Sequence, residues 1–241
     1  IYWFDRKRLD YSAIALGISV ATKFFPVLLL IPIMVIFIRR NLSPIRYLCV
    51  FAGTWFAINL PFAITTPKGW WRFYKLNLER SFDWGSIWHA TTIFGLKSNS
   101  LNYLSALTFL VGAVLFTIYF LDIKRLDQSA IFIVALFVTA SKVYSPQYIL
   151  WLTPLAVIAI RNKREVKAFW VWQFGELIYH IAIWQHLALT AGAHFGVSDR
   201  AYALAVLIRV ATLAYFLRSL FATKSGKSPA FEPAQALEFP L

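Results

Sequence analysis

Six long apolar runs, joined by short segments that hold most of the charge, leave this chain few ways to fold. They cover residues 11–38, 45–63, 101–121, 129–160, 168–190 and 201–221. Each has the roughly 18 or more residues needed to cross about 30 Å of hydrocarbon as a helix. A segment in hydrocarbon must satisfy its own backbone hydrogen bonds, so these runs predict helices. With 59% hydrophobic and 15% charged residues and a mean hydropathy of +0.62, the chain also lacks the polar surface that a soluble fold of this size needs. The expected class is an all-α integral membrane protein, a bundle of transmembrane helices.

The net charge of +13 does not point to nucleic acid, because Lys and Arg cluster in the joints instead of along one soluble face. They read as topology signals and as contacts to anionic membrane lipids. The lone Cys49 excludes a disulfide within the chain and a thiolate metal cluster. The opening IYWF, followed by DRKR, looks like the end of a further apolar span, so sequence upstream of Ile1 is expected.

The joints at 5–8, 39–46, 122–128 and 161–167 are basic, as is the tail with Lys224 and Lys227. By the positive-inside rule they are cytoplasmic, which puts 64–100 and 191–200 outside. Runs 11–38 and 129–160 begin and end beside basic clusters, so each must leave on the side it entered. Neither is long enough for two full crossings of about 20 residues each. Both are therefore expected to be broken or short helical hairpins, with turns ATKFFP and ASKVYSPQY at or below the outer surface. Irregular backbone at that depth is tolerated only against protein or a wet cavity. The outer loop 64–100 carries Trp70, Trp71, Phe73, Tyr74, Trp84 and Trp88, which suits interfacial helices. The membrane domain is expected over 1–222, with a disordered cytoplasmic tail over 223–241.

Each hairpin turn places a lysine shortly before a proline: Lys23 before Pro26, and Lys142 before Pro146. A lone lysine there could simply snorkel to the headgroups. Two of them, with proline-started helix N-termini on the same side, point to an anion site for a lipid phosphate or pyrophosphate. Tyr144, Ser145, Gln147 and Tyr148 offer hydrogen-bonding groups to that anion, or act only as turn caps. Trp151 is a sugar-stacking platform or a belt tryptophan.

Glu79 and Asp83 are four apart with Arg80 between them. On a helix the two carboxylates would share a face, as a general base, as ligands of a divalent cation, or as a solvated charge cluster. Trp84 in DWGS could contact a sugar. Gln173, Glu176 and His180 fall on one helix face. Glu176 and Arg209 lie at similar depth, which predicts a structural ion pair, with a substrate contact or proton relay as the alternative. His180, nearer the outside, is the better candidate for touching a substrate. No glycine-rich phosphate loop, zinc-spaced histidine set or nucleophile elbow occurs, and no protein-bound metal is predicted from histidines.

The segments GISVATKFFPVLLLIPI, NLPFAITTPKGWWRFYKLNLERSFDWGSIWH and SKVYSPQYILWLTPLAVI, in that order, resemble the polyprenyl-phosphate-sugar-dependent membrane glycosyltransferases of the C-type superfamily. The likeness is to family 87, which includes actinobacterial mannosyltransferases. It covers about residues 11–161 well and the last two spans loosely. It implies a plasma-membrane enzyme that moves a sugar, often mannose, from a polyprenyl-phosphate carrier to a lipid or glycan hydroxyl, with inversion, on the extracytoplasmic side. Lys23 and Lys142 would hold the donor phosphate with Tyr144, Gln147 and Tyr148, while Arg80, Trp84, Trp151 and His180 would meet sugar or acceptor. The resemblance places the catalytic carboxylate in a first outer loop upstream of Ile1, and leaves Asp83 and Glu79 as substitutes. The residues themselves keep a second reading open, a secondary transporter or a flippase for lipid-linked sugar, because broken helices around a charged site also serve transport.

Overall fold

The structure, a computed structural model, describes residues 1–93, 95, 101–119 and 125–222. The tail 223–241 and parts of the joints 94–100 and 120–124 lie outside the described residues. Among the described residues every regular element is helical. In order they are α1 (Tyr2–Asp5), α2 (Leu9–Thr22), a 3-10 turn (Phe25–Leu29), α3 (Leu30–Arg39), α4 (Ile45–Thr65), α5 (Pro67–Glu79) and α6 (Ile87–Ile93). Then follow α7 (Leu101–Tyr119), α8 (Leu126–Ala140), a second 3-10 turn (Pro146–Tyr148), α9 (Ile149–Ala159), α10 (Lys163–Thr190) and α11 (Asp199–Phe221).

Among the described residues two helices, α4 and α11, are long and apolar enough to cross a membrane. The interrupted runs give shorter pieces, because each breaks at its lysine turn. Helix α2 stops where Lys23 turns extended (φ −142°, ψ 129°), and α8 stops where Ser141 does the same (φ −63°, ψ 146°). Proline then opens the 3-10 turn that leads into α3 or α9, its ring preset for the first turn and its missing N–H no loss there. The 14 residues of α2 span only about 21 Å.

Both pairs reverse direction at their turns: α9 packs back on α8, while α2 and α3 are bridged at their far ends by residues of α1 and α4. In the first, Phe4 and Tyr47 pack on Phe37 near the end of α3, and Tyr47 shares a hydrogen bond with Ser12 at the start of α2 (3.2 Å). In the second, Asp127 at the start of α8 takes Arg125 (3.0 Å) and Arg161 (2.7 Å), and Arg125 also donates to the Ala159 carbonyl (2.8 Å). Arg46 pairs with Asp10 (2.6 Å), and Arg39 donates to the Thr117 carbonyl (2.5 Å). These contacts gather the charged joints at one end of the bundle, called here the basic end. The lysine turns, α5 and α6 lie at the other, the turn end.

Helix α10 begins at Lys163, earlier than the apolar run predicts. The Asn162 side chain accepts from the amides of Arg164 and Glu165 (both 3.0 Å), and Glu165 reaches back to Asn162 (2.7 Å) and to the Arg161 amide (2.6 Å). This reciprocal capping draws the charged joint into the helix. Helices α10 and α11 then pack at close range: a Cβ on Gly175 would sit 2.1 Å from the Thr212 hydroxyl. Small residues at such crossings let helix backbones approach. Buried side chains form two clusters, one around α2, α3 and α4, the other around α8 to α11.

Candidate functional site

At the turn end, the DWGS segment of the loop 64–100 docks onto the SKVYSP turn of the second hairpin. The Asp83 amide donates to the Lys142 carbonyl (2.9 Å), and the Tyr144 amide donates to Asp83 Oδ1 (3.0 Å). Arg80 donates to Asp83 Oδ2 (3.1 Å), and Lys142 Nζ donates to the Leu78 carbonyl in the last turn of α5 (3.0 Å). An ammonium there also meets the negative end of the helix dipole. Gly85 makes the docking feasible: a Cβ on it would lie 2.1 Å from the Tyr144 carbonyl oxygen and 2.3 Å from the Tyr179 hydroxyl.

An aromatic wall runs from this junction toward the first hairpin. Tyr148 stacks on Trp151 (3.9 Å between centroids), and Trp151 stacks on Phe25 (4.1 Å). Lys23 Nζ lies 6.0 Å from the Trp151 ring centre, at the limit of a cation–π contact. The wall thus ends in Lys23 at one side and in Lys142 and Arg80 at the other. The charges of Arg80 and Asp83 both act on the Tyr148 hydroxyl. Gln147 is exposed next to it. Of the residues predicted for a donor phosphate, Lys142 and Tyr148 come together with Arg80; Lys23 stands across the wall, and the Tyr144 side chain is turned inward, its hydroxyl donating to Glu176, so it does not reach the phosphate position.

Glu79 does not join Asp83. Helix α5 ends at Glu79 and Arg80 is extended (φ −60°, ψ 131°), so the two carboxylates never share a helix face. Glu79 instead pairs with Lys75 (3.7 Å) with its side chain 66% exposed, whereas that of Asp83 is 21% exposed. A divalent-cation site built on both carboxylates is therefore not formed, and among the described residues no group of three metal-ligating side chains occurs.

Glu176 and Arg209 are both buried, yet no direct ion pair joins them, because Tyr144 stands between. Its hydroxyl donates to Glu176 (3.0 Å to Oε1), and its ring face carries the Arg209 guanidinium 3.3 Å from the centroid. Trp172 Nε1 also donates to Glu176 (3.1 Å), and Arg209 lies 4.7 Å from the Tyr179 ring. His180 is a strut for the turn and not a free substrate contact: its ring nitrogens face the carbonyls of Glu176 (2.7 Å) and Pro146 (3.1 Å). Trp84 accepts at its carbonyl from the Tyr202 hydroxyl (2.6 Å), and its ring packs on His89 and His186. Sequence reasoning missed the roles of Gly85, Tyr179 and Tyr202. A glycine amid aromatic residues is a signal of close approach, but the Tyr202 contact spans 118 positions and leaves no local trace.

Burial raises the Asp83 carboxyl above the usual carboxylate range, against the opposing pull of the Tyr144 amide and the Arg80 charge. The sign for stability follows. A raised folded-state value makes the Asp83 contribution largest below the ordinary carboxylate pKa of about 4, and it is lost as pH rises through the raised value. Arg80→Gln removes an opposing charge, so the upper edge of that window should move to higher pH. A pH series of thermal midpoints for wild type, Arg80→Gln and Asp83→Asn checks this: the step should shift upward in the first variant and vanish in the second.

In sum of its parts, the site offers cations at both ends of an aromatic wall and one half-shielded carboxylate beside them. No family model, curated protein or solved structure matches the chain.

Proposed function

We propose that the protein is a multi-span plasma-membrane glycosyltransferase whose turn end faces the extracytoplasmic side and transfers a sugar, mannose being the first candidate, from a polyprenyl-phosphate carrier to an acceptor hydroxyl. The observation that carries this reading is the pairing of two broken hairpins whose lysine turns share one end and one aromatic wall. Lys142 and Arg80 suit the donor phosphate, Trp151 and Tyr148 suit a sugar face, and Lys23 guards the far side. A cavity of about 320 Å³ starts at Phe25 and Trp151 and descends past Leu155 toward Ser12 and Tyr47, with a mostly apolar lining that fits a prenyl chain.

In the reaction the acceptor oxygen bonds to the anomeric carbon as the bond from that carbon to the phosphate oxygen breaks. The phosphate leaves with the electron pair, its charge held by cations, and the acceptor proton passes to a carboxylate. Asp83 is the carboxylate the cleft supplies. Its raised proton affinity suits a base, although Tyr144 and Arg80 already occupy both oxygens in the resting state.

Lys142→Ala should lower sugar transfer from a polyprenyl-phosphate sugar in membranes by about 100-fold to 1,000-fold, the range for one charge-stabilising donor. Insertion, read by protease protection, should not change; unchanged transfer would sink the phosphate role. A flippase or secondary transporter is the second reading, favoured by the like build of the two hairpins. It predicts that Lys142→Ala slows movement of the labelled lipid across vesicles that contain no acceptor.

A further inference from the structure

A second groove lies on the opposite flank of the second hairpin, between α8 and α11, and none of the site residues lines it. It encloses about 380 Å³. Phe132, Leu136 and Thr139 of α8 form one side, and Val210, Ala214 and Leu217 of α11 form the other. Along α11 the lining runs from Val210 to Phe221, about 16 Å at 1.5 Å per residue. Thr139 and Arg218 carry its only polar side chains.

Three features define what fits. The floor is closed, since Ala135 and Leu213 are buried, while Leu136 and Thr139 are part exposed and Ala214 exposed, so the slot opens sideways along the helices. Its two walls come from neighbouring helices, α8 and α11. Its ends differ in polarity: Arg218 stands at the basic end, in the last turn of α11, exposed, and its guanidinium makes no hydrogen bond or ion pair with any described residue.

We infer that this groove binds one acyl chain of an anionic phospholipid, with the phosphate of its headgroup on Arg218. The slot excludes water from the chain, and the guanidinium offers a forked donor that matches a phosphate. An anionic headgroup is preferred over a zwitterionic one because the neighbouring joints add further positive charge at this end. The bound lipid holds α8 against α11 and so steadies the hairpin that carries Lys142. The inference rests on the membrane placement proposed above but not on sugar transfer.

The full chain is reconstituted in phosphatidylcholine vesicles with a phosphatidylglycerol that carries a diazirine on its acyl chain, irradiated, and mapped by mass spectrometry. Labels should concentrate on residues 132–139 and 210–221, and unlabelled phosphatidylglycerol should compete better than phosphatidylcholine. Ala214→Trp fills the slot and should remove those labels. Arg218→Gln should cut the preference for the anionic competitor about five-fold, the size of one basic residue at a membrane surface. Labelling of α4 in every variant reports the membrane placement: if α4 is also silent, that placement fails. Labelled α4 with a silent groove overturns the groove alone. Equal competition by the two lipids, or groove labelling that needs prior removal of residues 223–241, also overturns it, the latter because the chain's own tail would then be the occupant.

Discussion

Glu176→Ala is expected to lower folding stability by about 3–5 kcal/mol, the cost of removing one member of a buried charged set. The carboxylate is 1% exposed and accepts from both the Tyr144 hydroxyl and Trp172 Nε1. Its loss strands two donors and leaves the guanidinium of Arg209, itself 2% exposed, without a neighbouring negative charge. Arg209 has little else to fall back on, for its NH1 has no hydrogen-bond partner among the described residues and the group rests on the faces of Tyr144 and Tyr179. The double variant Glu176→Leu, Arg209→Met should recover the part of the loss that comes from an uncompensated charge, while the two stranded donors keep the remainder. Thermal unfolding of detergent-solubilised Glu176→Leu, Arg209→Met and the double variant reads this coupling directly. Additive losses would mean that Tyr144 transmits nothing between the two charges.

Gly85→Ala is the second large effect, and it acts by shape instead of charge. The new methyl would fall 2.1 Å from a backbone oxygen of the lysine turn and 2.3 Å from the Tyr179 hydroxyl. A backbone atom cannot swing aside as a side-chain end can, so the loop must lift off. Overpacking of this kind costs about 1–3 kcal/mol, and lifting also breaks the Asp83 contacts to Lys142 and Tyr144. Hydrogen exchange at the amides of Asp83 and Tyr144 should therefore rise in the variant, while exchange within α10 stays slow. Unchanged protection at both amides would show that the loop finds another seat.

The hairpins were legible because both of their ends carry charge. Asp127 with Arg125 and Arg161, and Asp10 with Arg46, lie in or beside the joints, and the structure groups them at one end as the charge pattern predicts. The breaks were legible too, since a proline shortly after a lysine cannot continue the helix before it. What the sequence concealed were contacts made by a third segment. Depth arithmetic put Glu176 and Arg209 at one level, but nothing local says that Tyr144 wedges between them. Spacing put Glu79 and Asp83 on a common face, yet docking against the turn pulls Arg80 into extended backbone and separates them. The early start of α10 was readable in principle from Asn162 followed by Glu165, a capping pair that the apolar run overshadowed.

On the membrane placement proposed above, the return of each hairpin to its starting side also bears on how the chain is assembled. Asp127 and its partners Arg125 and Arg161 would stay where they are synthesised, so the charge hairpin two must carry into hydrocarbon is that of Lys142. Inserting a lysine at mid-bilayer costs about 2.5–3.5 kcal/mol. Its receiver, the Leu78 carbonyl, belongs to a loop made earlier in translation, which on that placement would already be across the membrane. The outer loop thus serves as the landing site for a segment that follows it, and the order of the chain matches the order in which its charges need partners.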